Sequence, residues 1–160
     1  RLPCLLAPER LCVELSVLHF ITIFGLKLLK SLVNGTMKLL THNMMTSKCI
    51  KGVNTGFPLG IVASETKVIS VDFNPEFVCR MIPKLDWDAL YQAAESIGVA
   101  ADLPKALVPD YEHNEEFLRR VHHTLFEVEV VAGELVCPET GRKFPITNGI
   151  PNMLLNEDEV

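Results

Sequence analysis

Residues 135–155 have the sequence LVCPETGRKFPITNGIPNMLL, and this stretch decides the fold. Its apolar segments are short, and two turns separate them, one at 138–141 and one at 148–149. Proline and glycine at the first turn, and Asn-Gly at the second, are residues that favour reversal of an extended chain. The stretch therefore predicts three short strands that pair with one another.

Two details of this stretch bear on function. Cys137 begins a Cys-Pro-x-x-Gly sequence, which is half of a zinc-ribbon knuckle, but Thr140 stands where a second thiol is usual. In the run from Ile150 to Leu154 only Asn152 is polar. Such a run must be buried, either in the core of its own domain or under another protein.

The composition is that of a folded protein with room for one domain, or for one domain with an insertion. The 160 residues are 48% hydrophobic and 22% charged. A net charge of −5 argues against binding nucleic acid through the charge of the chain itself, because phosphate binding requires clustered Lys and Arg. The five cysteines have an odd count and no repeated spacing, which predicts buried thiols in a reducing compartment.

Residues 1–36 differ from the rest of the chain. They include the apolar stretch 11–29, which is long enough for a membrane helix but contains Glu14, His19 and Gly25. Met37 begins a conventional soluble sequence. Our hypothesis is that residues 1–36 are not part of the working protein, and a signal-anchor is the alternative.

From Met37 onward the sequence alternates between strand and helix patterns. Residues 37–40 predict a short strand, 51–60 a loop, and 61–73 a strand with period-two alternation. Residues 74–125 predict three helices, which begin after Asn74, Asp86 and Asn114. From Phe126 the period returns to two, and Ala132-Gly133 predicts a turn back to a strand at 135–137.

The economical architecture is α+β. We predict a small antiparallel zinc-ribbon-like sheet built from residues 37–73 and 126–160, with a three-helix subdomain, residues 74–125, inserted into it.

Catalytic and metal chemistry find little support. Only Cys137 lies in a knuckle, whereas a structural zinc site needs four Cys or His ligands. His122 and His123 are adjacent on a predicted helix and point about 100° apart. No dinucleotide, phosphate-loop, nucleophile-elbow or zinc-protease motif is present. We predict no catalytic residue, no cofactor and no metal of the chain's own.

A binding function has better support. Residues 147–153 place apolar side chains beside a turn, and Pro151 is best tolerated at a sheet edge. Such an edge can extend the sheet of another protein. The alternative is that Ile150 and Met153 close the core of their own domain, and the residues alone leave both open.

From Met37 to its end, the chain resembles the multifunctional methyltransferase subunit family, small activators shared by several eukaryotic methyltransferases. Five segments carry the resemblance: MKLLTHN (37–43), GFPL (56–59), FNPEFVCRMIPK (73–84), NEEFLRRVHH (114–123) and CPETGRKFPITNGIPNMLL (137–155). Residues 1–36 take no part in it.

The resemblance implies a non-catalytic, zinc-ribbon-like subunit that activates and stabilises S-adenosylmethionine-dependent methyltransferases, one at a time. Their substrates are tRNA, small-subunit rRNA and a translation release factor, and the partner binds the cofactor and the RNA. Some members hold zinc through four cysteines, a set that this chain lacks. The resemblance also implies a location in the cytoplasm and the nucleus, both nucleoplasmic and perinuclear.

The family resemblance favours a partner-facing role for the C-terminal edge. The interface that we expect comprises Thr41, Asn43, Met44, Phe77, Ile146, Asn148, Ile150, Pro151, Asn152 and Met153. Two alternatives come from other classes of protein: a small metalloprotein using His122, His123 and Cys137, and a membrane-anchored adaptor using residues 11–29.

Overall fold

The computed structural model describes residues 36–159 of the chain. The strands are β1 (Met37–Lys38), β2 (Gly60–Val68), β3 (Val128–Val136), β4 (Lys143–Thr147) and β5 (Ile150–Pro151). The α-helices are α1 (Leu39–Met44), α2 (Pro75–Met81), α3 (Trp87–Ser96) and α4 (Glu115–His122). A π-helical turn, His123–Glu127, extends α4. The predicted α+β class is confirmed. The hypothesis about residues 1–36 and the signal-anchor at 11–29 lie, apart from Thr36, outside the described residues.

Strand β3 is the centre of the sheet. On one side it pairs antiparallel with β2 along its whole length. On the other side it pairs first with β1 and then with β4, and β4 pairs with β5. The described sheet therefore has β2 at one margin and β5 at the other.

The predicted turn at Ala132-Gly133 is wrong, because β3 continues through both residues. Gly133 lies at a close approach of two backbones instead: a Cβ there would be 2.0 Å from the carbonyl oxygen of Val62. The register of β2 shifts on either side of Glu65 at the same place. An isolated glycine within a strand is typical of such an irregularity.

The three predicted helices are present, and their N-caps are the predicted residues. Asn74 Oδ1 accepts from the N–H of Phe77, Asp86 Oδ1 from that of Ala89, and Asn114 Oδ1 from that of Phe117. Each bond satisfies one of the N–H groups that a helix start leaves without a partner.

Two strand predictions need correction. The chain leaves the extended conformation after Lys38 and forms α1 where the sequence pattern predicts a strand. The helical turn places both His42 and Asn43 in the interior, where each finds a backbone partner. Strand β2 ends at Val68 rather than at Phe73. Residues 69–73 lie instead beside the π-helical turn, where the N–H of Ile69 donates to the carbonyl of Glu127 at 2.8 Å.

Helices and sheet share one hydrophobic core. Its most deeply buried large side chains include Met81, Leu90, Leu118, Leu125, Leu135 and Phe144. Leu154 lies outside this core, because its side chain is 56% exposed. The proposed division into a sheet unit and a helical insertion stays a prediction.

Candidate functional site

The C-terminal margin of the sheet exposes apolar side chains. Ile150 is 59% exposed and Leu154 56% exposed, and Asn152 between them is also exposed. Met153 and Leu155, which alternate with them, are buried. We call the exposed set, Ile150, Asn152 and Leu154, the apolar edge.

Hydrogen bonds fix the backbone of the apolar edge. The N–H of Asn152 donates to the carbonyl of Pro145 at 2.8 Å, and Asn152 Oδ1 accepts from the N–H of Leu154 at 3.1 Å. Asn148 and Gly149 adopt the positive φ values, 52° and 77°, that a two-residue hairpin turn requires. These bonds and the turn fix the direction of the edge, and a sheet margin is a place where an extended segment of another protein can add.

The other residues of the expected interface divide into two groups. Asn148 is exposed and Pro151 half-buried, so both accompany the apolar edge. Ile146 and Met153 are buried, and their side chains belong to the core of the chain itself. Met153 therefore packs in the core of its own domain, as the alternative interpretation predicts. Ile150 is exposed to solvent.

The expected residues outside the C-terminal stretch lie on α1 and α2. Asn43 is buried and acts as an internal tie: its Nδ2 donates to the carbonyl of Asp86 at 2.9 Å, and its Oδ1 accepts from the N–H of Asp86 at 3.0 Å. Phe77 is half-buried against Phe126, with ring centroids 5.5 Å apart. Thr41 and Met44 are half-buried on α1. The interface assignment of all ten residues stays a prediction.

A buried histidine next to this tie has a structural role. His42 Nε2 lies 2.7 Å from the carbonyl oxygen of Leu59 and donates to it, while its Nδ1 has no hydrogen-bond partner. Desolvation lowers the pKa of His42, so the ring is neutral at physiological pH.

At the knuckle, neighbouring groups of the chain contact the Cys137 sulfur, and the side chains do not form a metal-ligand set. Ser47 Oγ lies 3.1 Å from Cys137 Sγ, and the N–H of Thr140 donates to the same sulfur at 3.4 Å. Desolvation opposes ionisation of the buried thiol, yet these hydrogen bonds lower the pKa of Cys137 below its usual value. One thiol with two hydroxyl-bearing neighbours does not fit the four-ligand set of structural zinc. Within residues 36–159, no three His, Cys, Asp or Glu side chains are grouped as ligands.

Glu139 joins the knuckle to the loop at 47–56, and sequence reasoning missed it. Its carboxylate accepts from the N–H groups of Asn54, Thr55 and Gly56, each at 2.9 Å, and from Thr55 Oγ1 at 3.0 Å. The three backbone donors lower the pKa of Glu139 to about 2. The sequence signal that was available is the glycine-rich loop, whose free N–H groups require an acceptor.

The His122 and His123 region is separate from the knuckle. His122 is buried, with Nε2 3.2 Å from the carbonyl oxygen of Asp72, and His123 Nδ1 lies 2.6 Å from Glu127 Oε2. Both precede β3 whereas Cys137 follows it, and nine strand residues span about 30 Å. The metalloprotein alternative that combines His122, His123 and Cys137 is therefore wrong as a single site.

Membrane-spanning helices are absent from the described part of the chain. None of the helices between residues 36 and 159 has both the length and the apolar character that a bilayer crossing requires.

Taken together, the fold and site define a small α+β protein that exposes apolar side chains at the C-terminal margin of its sheet. Residues 38–149 match the family model described as Trm112p-like protein, and the chain belongs to that family.

Curated relatives are similar over nearly their whole length. A multifunctional methyltransferase subunit TRM112-like protein of Mus musculus is 56% identical over 124 residues, which cover 77% of this chain and 98% of the relative. Homolog A of this subunit in Arabidopsis thaliana is 51% identical over 127 residues, 78% of this chain and 100% of the relative. The Saccharomyces cerevisiae subunit is 30% identical over 130 residues, 74% of this chain and 96% of the relative.

Among solved structures, a chain of the E. cuniculi Mtq2-Trm112 complex, which methylates the eRF1 translation termination factor, is 18% identical to this chain. The match covers 73% of this chain and 94% of that one, with a TM-score of 0.44.

Proposed function

We propose that this chain is a non-catalytic subunit that activates and stabilises S-adenosylmethionine-dependent methyltransferases. The observation that carries the proposal is the apolar edge, on a chain whose relatives are named as methyltransferase subunits. Exposed Ile and Leu side chains on a hydrogen-bonded sheet margin favour a partner that adds a strand and covers them. The chain and the enzyme form a heterodimer.

The partner supplies the chemistry in this proposal. It binds S-adenosylmethionine, carries the catalytic residues and holds the substrate, which is tRNA, small-subunit rRNA or a release factor. A net charge of −5 supports this division, because an acidic subunit adds no affinity for phosphates. We further propose mutually exclusive partners, no metal of the chain's own, and a location in the cytoplasm and nucleus.

The test is co-expression of the full chain with a candidate methyltransferase. We expect Ile150→Asp to abolish co-purification, because burying an unpaired carboxylate in an apolar contact is strongly unfavourable. The matched control is Val62→Asp, since Val62 is 57% exposed but lies on β2 at the opposite margin of the sheet. Both variants should keep the circular dichroism spectrum of the original chain.

Two results would contradict the proposal. One is unchanged co-purification and methylation with Ile150→Asp. The other is methylation of tRNA, rRNA or release factor by the purified chain without any partner.

A further inference from the structure

The start of the described chain is fixed beside the apolar edge. Thr36 Oγ1 donates to Glu129 Oε1 at 2.8 Å, which attaches Thr36 to the central strand. On its other side Thr36 lies against Gly149, where an added Cβ would be 3.2 to 3.4 Å from atoms of Thr36. Gly149 immediately precedes Ile150, so residues preceding Thr36 are joined to the fold at the beginning of the apolar edge.

The distance between the two exposed apolar side chains of the apolar edge sets the length that a covering segment needs. Ile150 and Leu154 are four residues apart, which in an extended chain is about 13 Å. Removing such side chains from water is favourable, because it reduces the apolar surface that water must hydrate. A segment that covers both must be apolar and must reach Leu154, about 17 Å from Gly149 along an extended chain.

Residues 11–29, LCVELSVLHFITIFGLKLL, satisfy both requirements. Six residues, 30–35, connect this segment to Thr36, and they span at most about 20 Å when extended. That reach includes Leu154. Because the two are parts of one chain, contact is favoured by an effective concentration of about the millimolar range.

We propose that, in a chain that retains residues 1–36, the segment 11–29 packs in cis against Ile150 and Leu154. The segment covers the apolar edge when no partner is bound. A further consequence, which rests on the proposed function, is that a methyltransferase must displace the segment before it binds. The packing itself does not depend on the identity of the partner.

The test is photo-cross-linking in the purified full chain without a partner. We place p-benzoylphenylalanine at Leu154 and, as the matched control, at Val62, which is equally exposed at the opposite margin. Peptide mapping of the monomeric product should show a cross-link from position 154 to residues 11–29, in a yield about tenfold above that from position 62, the ratio given by about 1.4 kcal/mol.

A second variant tests the apolar nature of the contact. Phe20→Asp combined with Phe24→Asp, in the chain carrying the probe at position 154, should reduce the cross-link to the yield seen from position 62. Retention of the full yield would overturn the proposal, because a contact through apolar side chains cannot survive two carboxylates.

Two other outcomes would also contradict packing of segment 11–29 against the apolar edge of the same chain. A product with the mass of two chains would assign the edge to a second copy. Flotation of the full chain with phosphatidylcholine and phosphatidylserine vesicles, with no cross-link from position 154, would assign segment 11–29 to a lipid surface. Because no methyltransferase is present, each failure is distinct from failure of the proposed function, which the Ile150→Asp co-purification decides separately.

Discussion

The two turns on either side of β4 differ in how completely the residues around them find contacts within the chain itself. The turn at 137–142 is closed by Ser47, Cys137 and the Glu139 carboxylate, which accepts four hydrogen bonds. The turn at 148–149 is equally regular, but it leads into an edge on which Ile150 and Leu154 face solvent. The first region therefore contributes to stability, whereas the second exposes apolar side chains that the proposed function assigns to partner binding.

The largest effect on stability is expected inside β4 itself. Phe144 is fully buried, so we expect Phe144→Ala to lower the free energy of unfolding by about 3–5 kcal/mol. Leu154→Ala, at the exposed edge, should change it by no more than about 0.5 kcal/mol. Urea denaturation of both variants measures the difference. Equal losses would show that the edge is part of the folding core.

A smaller effect is expected at the closed knuckle. Ser47 is buried, and its hydroxyl lies 3.1 Å from Cys137 Sγ and 3.3 Å from the carbonyl oxygen of Gly56. Ser47→Ala removes this group and should lower the free energy of unfolding by about 1–2 kcal/mol. Ser64→Ala, at an exposed position of β2, is the control. If the two serines gave the same small change, the knuckle would not be held by this contact.

The Glu139 carboxylate predicts a pH dependence in one direction. Its pKa falls from 4.5 to about 2 on folding, so its contribution to stability is present above pH 4.5 and is lost as the pH falls towards 2. Glu139→Gln should therefore be less stable than the original chain at pH 7, with a difference that narrows across this window. Thermal melts at several pH values measure it, with Glu95→Gln on α3 as the control. A difference that stays constant from pH 7 to pH 2 would refute this role.

Metal removal should have no effect, because the knuckle lacks a four-ligand set. We expect EDTA treatment to leave the melting temperature of the purified chain unchanged. A lower melting temperature that added zinc restores would instead show that Cys137 is a metal ligand.

Helix starts and the C-terminal hairpin could be predicted because their signals are local. Asn74, Asp86 and Asn114 cap helices through bonds three residues away, and Asn148-Gly149 determines its own turn. Helix α1 could not be predicted, since His42 and Asn43 are stabilised by Leu59 and Asp86, which are distant in sequence.

For the candidate site, too, the sequence predicts the local features but not those that depend on distant residues. Alternation along an extended segment predicts that Ile150 and Met153 face opposite sides, but only the packed structure shows which of them faces solvent. The Glu139 contacts join residues more than eighty positions apart, so the glycine-rich loop indicates that an acceptor is needed but not which residue supplies it.

The position of β3 has a consequence for cooperativity. This one strand pairs with β1, β2 and β4, and the turn that precedes it continues from α4. Because the helical layer and the hairpin that bears Ile150 both depend on β3, we expect the two regions to unfold together. We therefore expect amide protons in both regions to exchange with solvent at a common rate, through unfolding of the whole molecule. Damage to a helix far from the margin should also release a bound enzyme.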